Sequence, residues 1–145
     1  RYPGDEYVDL FGLDYYYRPN NLEFVKTDLP QKLAMVGELA AEHGKAAAFT
    51  ETGFEAIPDE KWWTEMLLSH VASANIAYVL VWRNATNKSK PGHYYAPFPG
   101  QLSAKDFVAF SRHEKMCFQN SLPNLYKKPK NRKVKTASAT LVPTK

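Results

Sequence analysis

Three short apolar runs, separated by stretches of helical period, constrain this chain more than any other feature. The runs are Tyr7–Asp14, Lys45–Thr50 and Ile76–Trp82. Between the first two, Leu29–His43 repeats Leu33, Val36, Leu39 and Ala40 at helical spacing, with Lys32, Glu38 and Glu42 mostly elsewhere. Thr27 or Asp28 can cap this helix, Pro30 suits its first turn, and Gly44 suits its C′ stop. Between the second and third runs, Asp59 caps a helix over Glu60–Ala74. Its stripe is Trp63, Met66, Leu67 and His70 or Val71, and Asn75 ends it. A third helix fits Ser103–Arg112, with Ser103 as cap and Phe107, Val108 and Phe110 turned inward. The order β-α-β-α-β-α means parallel strands joined by crossovers.

A parallel sheet with helices on one face leaves the other face bare, and parallel sheets need both faces covered. The natural completion is more β/α units, closed into a barrel. An eight-unit barrel takes about 250 residues, and this chain of 145 supplies three units. The expected fold is therefore α/β, part of a (β/α)8 TIM barrel. Residues 1–126 form that part. Residues 127–145, polar, basic and without period, read as a disordered tail or linker.

The net charge of +4 belongs to that tail. All fifteen acidic residues precede Lys127, against twelve Lys/Arg, so the body is acidic; the tail holds seven Lys/Arg and no acid. The body thus gives no general case for nucleic-acid binding. Cys117 is the single cysteine, which excludes an intrachain disulfide and a zinc site built on several thiolates. No apolar run is long enough to span a membrane. The start, Arg1-Tyr2-Pro3-Gly4-Asp5-Glu6, has neither Met nor a signal peptide's apolar stretch, so a processed, truncated or excised chain is expected. Nine Tyr, eight Phe and three Trp suit a protein that stacks sugar rings, but also a plain aromatic core.

In barrels of this kind, function sits at the C-terminal ends of the strands and in the loops that follow. That rule selects Asp14, Tyr15 and Tyr16 after the first strand, Glu51 after the second, and Trp82 and Arg83 after the third. The set is a carboxylate, phenols able to donate to it, a flat ring and a fixed cation. Glycoside cleavage uses two carboxyl groups flanking the scissile bond, about 5–5.5 Å apart when one is a nucleophile. Glu51 can be one of them. Asp14 can instead hold a neighbouring loop, and Tyr16 competes with Tyr15 and Tyr17 for the hydrogen bond. Arg83 can bind sugar hydroxyls or sit in a structural ion pair.

Five motifs stand in order: Tyr2-Pro3-Gly4-Asp5-Glu6-Tyr7-Val8-Asp9, Gly12-Leu13-Asp14, Thr50-Glu51-Thr52-Gly53, Val81-Trp82-Arg83-Asn84 and His93-Tyr94-Tyr95-Ala96-Pro97-Phe98-Pro99-Gly100. Together they resemble the C-terminal part of glycoside hydrolase family 26, mostly β-mannanases, over roughly residues 2–126. The resemblance implies that the three units are the last of the barrel, strands six to eight. It implies that Glu51 is the nucleophile of a retaining mechanism, that Tyr16 orients it, and that Trp82 and Arg83 line the subsites at the cleavage point. It implies cleavage of β-1,4-mannosidic bonds in mannan-type polysaccharides, no metal or cofactor, and a secreted, periplasmic or cell-surface protein.

One departure matters. The family's acid/base glutamate follows an earlier strand, in a His-Glu pair, and here the His113-Glu114 pair ends the final helix instead. The expected partner is therefore the missing N-terminal barrel units, and the 145-residue chain alone is expected to be inactive. Phe54 is a candidate to line a distal subsite. His93 and Tyr95, in the long loop Arg83–Gln101, suit substrate contact or loop packing equally. Glu55 reads as a solvated carboxylate; Trp62, Trp63, His43 and His70 read as structural. Asn84-Ala85-Thr86 and Asn87-Lys88-Ser89 match the N-glycosylation pattern, which matters only on a eukaryotic secretory path. Two other functions fit the same motifs: a relative acting on mixed-linkage β-glucan or β-1,3-xylan, and a non-catalytic carbohydrate-binding fragment.

Overall fold

The structure is a computed structural model, and it describes residues 2–85 and 90–124. The basic segment 127–145, Tyr126 and the Asn87 sequon lie outside the described residues. Three strands, β1 (Leu10–Tyr17), β2 (Ala46–Phe54) and β3 (Val79–Val81), form one parallel sheet in the order β1-β2-β3. Helix α1 (Leu22–Glu42) joins β1 to β2. The second connection, α2, opens as a π-helical segment, Trp62–Leu68, and closes in an α-helical turn, Ser69–Val71. Helix α3 (Ala104–Ser111) follows β3 and the long loop. Among the described residues no helix is long and apolar enough to cross a membrane.

Helix α1 begins seven residues before the expected start, and Pro30 lies inside it. The apolar stripe explains why: Val25, Leu29, Leu33, Gly37 and Ala40 are all buried, so the helix repays its first two turns with core contacts. Pro30 and Lys26 are both exposed, and Pro30 leaves the Lys26 carbonyl without its usual i+4 donor. Leu39, expected inward, is 40% exposed; Gly37 is buried instead, and a Cβ there would stand 3.5 Å from the Asn75 carbonyl oxygen. Asp28 does not cap the helix but accepts from Tyr15 Oη and Lys32 Nζ, both at 2.8 Å. The helix stops at Gly44 with φ of +63°. There Gly44 N–H donates to the Ala41 carbonyl at 3.1 Å and Lys45 N–H to Ala40 at 2.8 Å, the paired bonds of a Schellman stop.

The core lies between the sheet and the helices. Val25, Leu29 and Leu33 of α1, Phe49 and Phe54 of β2, Trp62, Trp63 and Leu67 of α2, and Phe110 of α3 are buried together. Each such side chain contributes about 1.5–3 kcal/mol when fully buried. Trp62 and Trp63 sit at the centre, as expected, their rings 4.6 Å apart at 73°. Asp106 of α3 ties the two later helices, accepting from Thr64 N at 3.0 Å and Thr64 Oγ1 at 2.6 Å. Val108, expected inward, is 43% exposed. Ser103 stands at the cap position but spends its hydroxyl otherwise: it accepts from Trp63 Nε1 at 3.0 Å and donates to Gln101 Oε1 at 2.7 Å.

The strand bounds differ from expectation in one systematic way. β1 runs three residues further and β2 four, so Asp14, Tyr15, Tyr16 and Glu51 lie within strands rather than after them. The third strand is shorter, Val79–Val81. Backbone bonds from Ala77 N to Ala47 O at 2.8 Å and from Trp82 N to Thr52 O at 2.8 Å continue the contact on either side.

Candidate active site

The strand that carries Glu51 holds one residue more than either neighbour. Along β1 the partners run from Gly12↔Ala48 to Asp14↔Glu51, two steps against three. Along β3 they run from Phe49↔Val79 to Thr52↔Val81, again three steps of β2 against two. The extra residue is a bulge in β2 just before Glu51, a device that re-aims side chains near functional sites. Thr50, at the bulge, lies over Gly12: a Cβ there would stand 2.5 Å from Thr50 Oγ1. Thr50 Oγ1 donates to Asp14 Oδ1 at 2.8 Å. Asp14 thus holds the bulge and stands beside Glu51 in register.

The three consecutive tyrosines resolve by the pleat of β1. Tyr15 Oη donates to Asp28 on α1, and Tyr17 Oη is bonded to His70 Nδ1 on α2 at 2.8 Å. Both therefore face the helices. Tyr16, between them, faces the opposite side, and its hydroxyl donates to Glu51 Oε1 at 2.8 Å. Burial and the bond to Glu51 push the Tyr16 phenol well above the ordinary tyrosine range, so it remains a proton-bearing donor. Burial and Asp28 likewise raise Tyr15 to about 12. Burial lowers His70, which suits its place as a core partner of Tyr17.

Loop residues close over this face. Gly53 admits the Tyr95 ring, since a Cβ at Gly53 would stand 2.4 Å from Tyr95 Cδ1. Tyr95 is 8% exposed and meets the Tyr16 ring edge-on, centroids 5.7 Å apart at 71°. Of the two roles left open for Tyr95, packing is what the geometry displays. His93 Nδ1 lies 2.6 Å from Glu55 Oε1, so Glu55, exposed as expected, has a partner. Phe54 is 3% exposed and belongs to the core. It and His93 border an open groove of about 890 Å³ with Tyr17, Arg18 and Lys90; Glu51 does not line it. The Arg83 guanidinium carbon sits 6.0 Å from the Trp82 ring centroid, a cation–π contact at the end of β3.

Sequence reasoning gave Asn84 no role of its own, reading it as the end of the Val81-Trp82-Arg83-Asn84 motif and as part of a glycosylation pattern. Its Oδ1 accepts from Tyr95 N and Ala96 N, both at 2.8 Å, and its Nδ2 donates to Ala96 O at 2.9 Å. A glycan on Nδ2 would compete with that last bond. The available signal was an asparagine at the root of a long polar loop, where its side chain commonly imitates backbone. Gln101 was also missed. Ala56 and Ile57 adopt left-handed backbone, φ 61° and 41°, strained for these residues. Gln101 Nε2 braces them by donating to Ile57 O at 3.1 Å and Ala56 O at 3.4 Å.

No protein-family profile matches the chain. Over 90% of its length it superposes on a GH26 β-mannanase from Bacteroides ovatus, with a TM-score of 0.80 and 44% identity. The chain belongs to glycoside hydrolase family 26. A modular endo-β-1,4-mannanase of the family from Cellulomonas fimi matches 84% of the chain, with a TM-score of 0.69 and 30% identity. A mannan endo-1,4-β-mannosidase from Bifidobacterium adolescentis is 28% identical over 131 residues, 79% of this chain. This family 26 chain spans only part of each: 37% of the Bacteroides chain, 28% of the Cellulomonas chain and 13% of the Bifidobacterium protein.

Proposed function

We propose that the chain supplies strands six to eight of a (β/α)8 barrel and carries the nucleophile half of a retaining endo-β-1,4-mannanase. The single observation that carries this reading is the bond from Tyr16 Oη to Glu51 Oε1, on the sheet face away from the helices. With Oε1 engaged by Tyr16, Oε2 attacks the anomeric carbon of the sugar and forms a glycosyl ester. The departing oxygen takes a proton from an acid supplied by the rest of the barrel. Water, activated by the same group, then cleaves the ester and frees Glu51. Trp82 floors the reacting sugar and Arg83 binds its hydroxyls, while Asp14 keeps the bulge that aims Glu51. The named activities of the relatives support mannan over other β-glycans. A polymeric substrate is in keeping with a secreted, periplasmic or cell-surface protein.

In the complete polypeptide, Glu51→Ala should abolish mannan hydrolysis while the far-ultraviolet spectrum and melting temperature stay near the parent's. Retained hydrolysis by that variant would refute the nucleophile assignment. Faster turnover of mixed-linkage β-glucan or β-1,3-xylan than of β-1,4-mannan by the parent would refute the substrate.

A further inference from the structure

We propose that Asn84 and Tyr95 are positioning residues that hold Tyr16, and through it Glu51, in the attacking geometry. The inference rests on Glu51 being the nucleophile. Tyr16 lies on β1, and its side chain meets β2 and the loop after β3. On one side its hydroxyl reaches Glu51 at 2.8 Å. On another, the edge contact with Tyr95 limits where the ring can turn. Tyr95 is itself wedged: its ring rests on the Cα of Gly53, two residues beyond Glu51 on the same strand. Its backbone is fixed by Asn84, whose one oxygen takes the N–H groups of both Tyr95 and Ala96. The Asn84 amide nitrogen closes the ring of contacts on Ala96 O. A loop that leaves the end of β3 is thereby returned onto β2 and β1 at the level of the carboxylate.

Two features separate positioning from substrate contact. Tyr95 is almost wholly buried, so it has little surface to offer a sugar. Its contact is through the ring, so the hydroxyl is dispensable to this role. Asn84 satisfies two backbone donors and one backbone acceptor, which only an amide of this length can do at once.

The test uses the complete polypeptide and an activated aryl β-mannoside, whose first-turnover release of the aryl group reports attack by Glu51 alone. Tyr95→Leu and Asn84→Ala should slow that release by roughly 10–100-fold, the usual cost of misplacing a reacting group by about an ångström. The substrate concentration that half-saturates this first-turnover rate should move by less than about threefold, because ground-state binding is untouched. Tyr95→Phe, which keeps the ring, should restore most of the rate. In a Tyr16→Phe background, Tyr95→Leu should cost little more, because Tyr95 acts through the Tyr16 hydroxyl. Asn84→Asp keeps the accepting oxygen and should fall between parent and Asn84→Ala, which covers the case in which Asn84→Ala does not fold. Additive losses in the Tyr16→Phe background would overturn the proposal, as would weaker half-saturation with an unchanged maximal first-turnover rate or full speed in Tyr95→Leu. Undiminished release by Glu51→Ala would instead overturn the nucleophile reading itself, a result the Tyr95 and Asn84 variants cannot produce.

Discussion

Gly12→Ala isolates the contact on which the bulge in β2 depends. Glycine there has no demand for unusual backbone; it sits in an extended strand. What excludes a larger residue is Thr50, packed directly over it. An added Cβ would meet Thr50 Oγ1 at 2.5 Å, Cγ2 at 2.6 Å and Cβ at 3.1 Å. The two closest approaches are nearly an ångström inside ordinary contact. Rotating Thr50 about χ1 cannot relieve both, because one branch replaces the other, and the Thr50 Cβ itself is already tight. The strands must part or Thr50 must leave. Overpacking of this kind costs about 1–3 kcal/mol, and the lost Thr50–Asp14 hydrogen bond adds about 0.5–1.5 kcal/mol. The expected destabilisation is roughly 2–4 kcal/mol, a large share of the 5–15 kcal/mol typical of a folded domain. Guanidinium unfolding of the complete polypeptide measures it.

The companion variant makes the reasoning refutable. Thr50→Ala in the Gly12→Ala background leaves only the 3.1 Å Cβ contact. It should recover the packing part of the loss but not the hydrogen bond. Because Thr50 precedes Glu51, the proposed nucleophile, the single Gly12→Ala change should also slow the proposed mannan hydrolysis more than its stability loss alone would. A Gly12→Ala change within about 0.5 kcal/mol of the parent, the range of an ordinary surface substitution, would refute the contact. A double variant as unstable as the single would refute the assignment of that contact to Thr50.

Two further outcomes follow from the same structure. His70 is held neutral by burial, so the unfolded chain gains its proton near pH 6.5 while the folded chain resists until lower pH. Stability should therefore be insensitive to this group above about pH 6.5, fall as pH drops through that value, and level off below the folded titration; a His70→Gln variant with an unchanged slope in pH-dependent denaturation would refute it. On the proposed division of the site, with the general acid in the rest of the barrel, purified residues 1–145 should hydrolyse mannan at least about 10²-fold more slowly than the complete polypeptide; parent-like turnover by reducing-sugar assay would refute that division.

Local chemistry made much of the fold legible. Gly44 announced the end of α1 because a left-handed residue is the cheapest way to turn from helix to strand, and both Schellman bonds are present. Trp62 and Trp63 were readable as core because two large rings on a helix between parallel strands have little else to bury against. Pro30 misled, since proline favours a first turn, and the Val25–Leu29–Leu33 stripe outweighed that preference. The site was legible in part. Spacing alone left Tyr15, Tyr16 and Tyr17 equivalent. The pleat separates them, because successive residues of β1 face opposite sides and answer to Asp28, Glu51 and His70 in turn.

The bulge was hidden for a different reason. Its extra residue exists only by comparison with β1 and β3, so no reading of β2 alone can find it. Its sequence trace is a pair of glycines, Gly12 opposite the bulge and Gly53 two residues past Glu51, each read as turn or motif chemistry. In the fold both serve as spaces: Gly12 makes room for Thr50 and Gly53 for Tyr95. Neither occupant is near its glycine in sequence, so the information sits in pairs some forty residues apart. A carboxylate at the end of an apolar run is common. A carboxylate re-aimed by a bulge, gripped by a phenol and flanked by two glycines that admit its supports is not, and that conjunction gives Glu51 its chemical reading.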